Sequence, residues 1–150
     1  MVVIMKISTR TRYGARFLLQ LVLRGGGPPV PLSDIARDQQ ISLKYLGSIA
    51  SALKKAGIVR TSVGAGGGFR LALPPDRITL HDVFEVFDGP VKLVRCVNDA
   101  AACGRSADCV TREAWRLAST AMTNSLKSVT IADLARRHGE KERKPGRKRK

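Results

Sequence analysis

A mostly α fold with one small β-hairpin is what this sequence predicts, and three observations carry it. Apolar residues recur in steps of three and four through most of the chain, between residues able to cap a helix. A short helix, a three-residue turn and a longer helix follow one another between Leu32 and Ala56. Directly after them, two runs rich in β-branched and apolar residues flank a glycine turn. At 150 residues the chain suffices for one ordinary core with an appendage.

The first helix is expected to start at Ser8 or Thr9 and to bury Tyr13, Phe17, Leu18, Leu21 and Val22. Gly25, Gly26 and Gly27, followed by Pro28 and Pro29, end it. Upstream, "MVVI" precedes a second methionine, Met5, which is either the true start or the end of a short extension. Ser33 is the expected N-cap of a short helix "DIARD", and "QQI" forms a tight turn. Ser42 caps the next helix, whose apolar stripe is Leu43, Leu46, Ile49, Ala50 and Leu53 and which stops at Gly57. "IVRTSV" and "FRLAL" then read as strands joined by "GAGGG". That glycine run is not a dinucleotide loop: it lacks the third glycine of G-x-G-x-x-G, where Phe69 stands, and a strand with a double proline follows instead of a helix.

Thr79 and Asp82 resemble a capping box opening "LHDVFEVFD", which closes at Gly89-Pro90. Next comes a stretch of little regular pattern holding Cys96, Cys103 and Cys109, spaced C-x6-C-x5-C. Thr111 is the expected cap of a long helix to about Ser128. Trp115, Ala118, Met122, Ser125 or Leu126, and Val129 form a stripe suited to a helix–helix seam. Thr130 and Asp133 open a last short helix, "IADLARRH", and the basic remainder lacks apolar anchors. The expected organisation is 5–90 as a helix-turn-helix with a hairpin, 91–110 as a cysteine loop, 111–135 as a helical seam, and 136–150 as a disordered basic tail.

The net charge is +15, from 27 Lys+Arg against 12 Asp+Glu. Residues 136–150 carry nine basic and two acidic residues, so most of the surplus lies on the body. Such a balance selects a polyanionic partner, nucleic acid ahead of an anionic membrane. No apolar run approaches the roughly 20 residues of a spanning helix, and "MVVIMK" lacks the parts of a signal peptide. The chain is therefore expected to be cytoplasmic, where clustered cysteines serve metals or redox sensing more often than disulfides. An odd number of thiols cannot all pair within one chain. No paired carboxylates, nucleophile with base, or phosphate loop marks an enzyme. His81 and His138 have no ligand pattern around them.

A helix-turn-helix followed at once by a hairpin is the order of a winged helix. Its second helix enters the DNA major groove N-terminus first. That places Lys44, Tyr45 and Ser48 near base edges and phosphates, with Lys54 and Lys55 nearer the helix end. Arg60, Arg70 and the glycine tip around Gly66 are the wing's candidate contacts. Lys6, Arg10, Arg12 and Arg16 make the first helix basic, and the tail adds salt-sensitive attraction. A basic RNA-associated protein is the alternative from another class. The deep, narrow major groove of double-stranded RNA does not admit such a helix.

From Met5 to Leu134 the residues resemble the Rrf-two family of bacterial winged-helix regulators. The resemblance is carried by "MKISTRTRYGARFLLQL", "PLSDIARDQQISLKYLGSIASALKKAGIVRTSVGAGGGFRLA", "ITLHDVFEVFDGP" and "CVTREAWRLAS" with "TIADL". It implies a homodimer joined through the long helix, a pseudo-palindromic double-stranded DNA site, and a DNA-binding transcriptional regulator, a repressor. In cluster-binding members three cysteines of this loop hold an iron–sulfur cluster, and Cys96, Cys103 and Cys109 match them. This implies a [2Fe-2S] cluster, with [4Fe-4S] or none as alternatives. Thiolates suit iron–sulfur centres, and the C-x2-C pairs usual for zinc are missing. Two departures stand out. Val63 stands where some members place a wing arginine, and Arg112 stands where some place a histidine ligand. Others use an aspartate of the first helix, where this chain has Arg12. Asp108, Thr111, Glu113, solvent or a small thiol are the open candidates for a fourth ligand. Without a cluster, the three cysteines would serve as a thiol redox switch.

Overall fold

The computed structural model describes residues 7–25 and 27–143, so the Met1 or Met5 start, Lys6 and the end of the tail lie outside it. Seven helices and one hairpin follow in order: α1 (Thr9–Leu23), α2 (Leu32–Gln39), α3 (Leu43–Lys55), β1 (Val59–Ser62), β2 (Gly68–Leu71), α4 (Leu80–Asp88), α5 (Arg95–Asn98), α6 (Val110–Lys127) and α7 (Ile131–Glu142).

Local chemistry sets most of these ends. Ser8 caps α1 by accepting from Thr11 N–H, and Ser42 caps α3 by accepting from Tyr45 N–H at 3.2 Å. Thr79 with Asp82, and Thr130 with Asp133, form complete capping boxes on α4 and α7. Two expected caps are corrected. Pro31, not Ser33, is the N-cap of α2, because its carbonyl already accepts from Asp34 N–H at 3.1 Å. Cys109, not Thr111, is the N-cap of α6, because Arg112 N–H reaches back to its carbonyl at 3.1 Å.

The core joins α1, α2, α3 and the hairpin through Phe17, Leu18, Ile35, Leu46, Ile49 and Leu53, all fully buried. The hairpin is antiparallel in the register Val59↔Leu71 and Arg60↔Arg70. Its second strand also bridges Val30, whose N–H and C=O exchange hydrogen bonds with Phe69 at 2.8 Å each. Gly68 permits this approach, since a Cβ there would lie 2.3 Å from the Val30 carbonyl oxygen. Gly14 does the same between α1 and α4, where a Cβ would meet the Phe87 ring at 2.5 Å.

The last helix departs from expectation. Assigned from sequence to a helical seam ending at 135, α7 instead packs along α1, and Ile131 is fully buried in the winged-helix core. Ile131 N–H donates to the Ile78 carbonyl and Leu80 N–H to the Val129 carbonyl, both at 2.9 Å, so the two capping boxes start side by side. α7 also continues to Glu142, into the residues expected to begin a disordered tail at 136. Its i,i+3 and i,i+4 pairs, Arg136–Asp133 at 2.8 Å and His138–Glu142 at 3.9 Å, lie on the helix surface and accompany the extension. α6, in contrast, exposes nearly all of its length. Ser119 is its one buried residue, while Val110, Trp115 and Leu117 face solvent.

Candidate nucleic-acid interface and cysteine loop

The outer face of α3 presents Lys44, Ser48, Ser51, Lys54 and Lys55, all exposed. Lys44 sits in the first turn, and Lys54 and Lys55 in the last, where they complement the helix dipole. Ser48 Oγ donates to the Tyr45 carbonyl at 2.8 Å, which leaves the serine lone pairs facing outward as acceptors. Leu43, expected in the buried stripe, is 53% exposed at the tip of the helix. Its position in the first turn carries it past the packing surface.

Tyr45 is half-buried, and its ring meets Tyr13 edge-to-face at 6.0 Å between centroids. Arg16 lies over the Tyr13 ring at 5.4 Å and donates from Nε to Gln39 Oε1 at 2.6 Å. One strip therefore joins α1, α2 and α3 through Arg16, Tyr13, Gln39 and Tyr45. Tyr13, expected on the buried side of α1, is half-buried and forms part of this strip. The i,i+3 spacing of Tyr13 and Arg16 was the available signal.

The wing tip holds Val63, 99% exposed, and Gly66 with φ 76°. Arg60 and Arg70 are exposed register partners on one face of the hairpin. They border a groove to which neither α3 nor the tip contributes.

Cys96 lies in the single turn of α5, Cys103 is exposed after a 3-10 turn (Ala100–Ala102), and Cys109 caps α6. All three are free thiols. Arg112 stitches this segment together: Nε donates to the Cys96 carbonyl at 2.6 Å and an NH group to the Ser106 carbonyl at 3.1 Å. The Thr111 hydroxyl, 3.1 Å from Cys109 Sγ, and the Arg112 backbone N–H hold that thiol below its ordinary range, against a smaller desolvation effect. The donor chemistry, three thiols on one segment, suits an iron–sulfur cluster. Their placement does not yet match it. Among the described residues no three His, Cys, Asp or Glu side chains are gathered at metal-holding distance. Arg112, beside the last cysteine, offers only donors and cannot ligate.

A helix-turn-helix with a basic outer face, a hairpin wing and a long exposed helix define a winged-helix transcriptional regulator. Residues 7–137 match the model of the Rrf2 family, described as iron-dependent transcriptional regulators, and the chain belongs to that family. Protein rrf2 of Nitratidesulfovibrio vulgaris is 40% identical over 132 residues, 88% of each chain. The structure of CymR, the global cysteine regulator of B. subtilis, superposes with a TM-score of 0.74 at 35% identity, covering 88% of this chain and 97% of that one. IscR of T. potens superposes with a TM-score of 0.76 at 30% identity, covering 95% and 94%. Among the described residues no helix is long and apolar enough to cross a membrane.

Proposed function

We propose that the chain acts as a homodimer on a pseudo-palindromic site in double-stranded DNA and represses transcription there. The DNA contacts are Lys44, Tyr45, Ser48 and Lys54 on α3, with the backbone at Gly66 lying against the sugar-phosphate chain. One observation carries the reading: the only strongly basic helix face of the helix-turn-helix is also the one braced from behind, by Tyr13 against Tyr45. The exposed apolar residues of α6, Val110 and Leu117 on one side of the helix and Trp115 on another, support dimerisation through that helix. Residues 5–90 together with α7 then form the reading unit, 91–110 the sensor, and α6 the dimer helix.

The state of the cysteine loop sets DNA affinity, because Cys109 caps the very helix that joins the two copies. The proposed holders of an iron–sulfur cluster, [2Fe-2S] in the first instance, are Cys96, Cys103 and Cys109. The cluster would supply sensitivity to iron supply, oxidants or nitric oxide. A thiol switch without a cluster is the second reading. It is favoured by the lowered Cys109 thiol and by donors not gathered into one site. Anaerobic purification with visible absorption and iron and sulfide analysis, repeated on Cys103→Ala, separates the two. A colourless, iron-free anaerobic protein removes the cluster reading. For DNA, Tyr45→Ala should weaken sequence-specific binding about fivefold or more, an estimate from roughly 1–3 kcal/mol per base-reading contact. Unchanged footprints would displace the reading helix from α3.

A further inference from the structure

We propose that the groove at the root of the wing is a binding site for a small apolar carboxylate, with the carboxylate held between Arg60 and Arg70. This goes beyond the DNA and cysteine-loop readings and depends on neither. Arg60 and Arg70 face each other directly across the hairpin. Like charges so placed repel, and neither arginine makes an ion pair with any described residue. Arg24, at the nearby end of α1, is by contrast fully engaged with Asp34 and Asp38. Of the arginines named at this end of the molecule, the wing pair is thus the one without a described carboxylate partner.

Beside the two guanidinium groups lies a cavity of about 350 Å³, at the lower end of small-molecule sites. Its apolar lining comes from Leu21 and Val22 of α1, Phe69 and Leu71 of β2, and Leu73, which is 45% exposed. Gly25, Gly27 and Pro28 form the rim, where the absence of longer side chains keeps the mouth open. An apolar body flanked by two donor forks is the complement of a molecule with a hydrocarbon or aromatic body and one carboxylate. Bidentate guanidinium–carboxylate geometry favours that anion over a halide. A bare phosphate would leave the apolar walls uncovered, and a neutral apolar molecule would leave the arginines unpaired. The site reaches the wing directly, since Phe69 also pairs with Val30 and packs edge-to-face on Phe17 at 5.6 Å.

Isothermal titration calorimetry of the full-length protein tests this with octanoate and 3-phenylpropionate. Octanol, 3-phenylpropanol, acetate and inorganic phosphate are the controls. Saturable binding of both acids is expected, with each alcohol and each small anion at least about tenfold weaker. Arg60→Gln with Arg70→Gln should weaken the acids about tenfold or more at a melting temperature no lower than that of the wild-type protein. Leu73→Ala should weaken octanoate but not acetate. No saturable heat from either acid at millimolar concentration would overturn the assignment. So would alcohols binding as well as acids, or acid binding that survives the double arginine variant. If that variant loses DNA affinity while the wild-type protein binds no acid, the two arginines belong to the DNA backbone contact.

Discussion

Replacing Ile131 with alanine measures whether α7 belongs to the winged-helix core. Ile131 is fully buried, within the cluster that includes Leu18, Ile78 and Val83. The substitution removes three side-chain carbons, a transfer loss of roughly 2.4 kcal/mol at about 0.8 kcal/mol each. Incomplete collapse of the cavity raises the expected cost to about 3–4 kcal/mol. With a urea slope of about 2 kcal/mol/M, the unfolding midpoint should fall by roughly 1.5–2 M. Far-ultraviolet circular dichroism at one fixed protein concentration reads this, since the proposed dimer would make stability concentration-dependent. Val63→Ala, at a residue 99% exposed, is the control and should stay within about 0.5 kcal/mol. A loss below about 1 kcal/mol would refute the reasoning. So would a first transition that melts the C-terminal helices and leaves the winged helix at its original midpoint.

Thr130→Ala should cost about 1 kcal/mol in the same assay, by removing the side chain that caps α7. Thr130 N–H and hydroxyl hold the Asp133 carboxyl below its ordinary value. This contribution is therefore complete above the unfolded carboxylate value and is lost as pH falls through the lower folded one. An acid titration of Asp133→Asn should accordingly lack that part of the descent. Arg112→Ala removes two hydrogen bonds across the cysteine loop. Amide exchange over residues 95–109 of the iron-free protein should quicken about tenfold, a rate that mass spectrometry resolves. Trp115→Ala with Leu117→Ala should raise the dimer dissociation constant at least about tenfold in sedimentation equilibrium and leave the monomer's helix content unchanged.

What the sequence discloses is mostly what neighbouring residues decide among themselves. Ser42, Thr79 with Asp82, and Thr130 with Asp133 act within three positions, and each caps the helix read for it. The misplaced caps at Ser33 and Thr111 have the same origin. In each case the residue two positions upstream carries the non-helical backbone, and cap preference alone does not locate that change. Leu43 satisfies the helical period yet projects beyond the packing surface, because periodicity gives direction and not depth. The position of α7 against α1 and the reach of Arg112 to Cys96 and Ser106 depend on distant partners, so no local window contains them. The outer face of α3 was legible as a row of polar residues. Its brace, Tyr13 and Arg16 on another helix, was legible only once the helices were brought together.

The contact between α1 and α7 also orders events during synthesis. Ile131 is made roughly 110 residues after Phe17, so at about 5–20 residues per second the first helix waits roughly 6–20 s for the one that completes its core. During that interval the nascent chain presents Phe17, Leu18 and Ile78 with one wall missing. The half-made protein thus carries an apolar surface that closes only when Thr130 and Asp133 start α7.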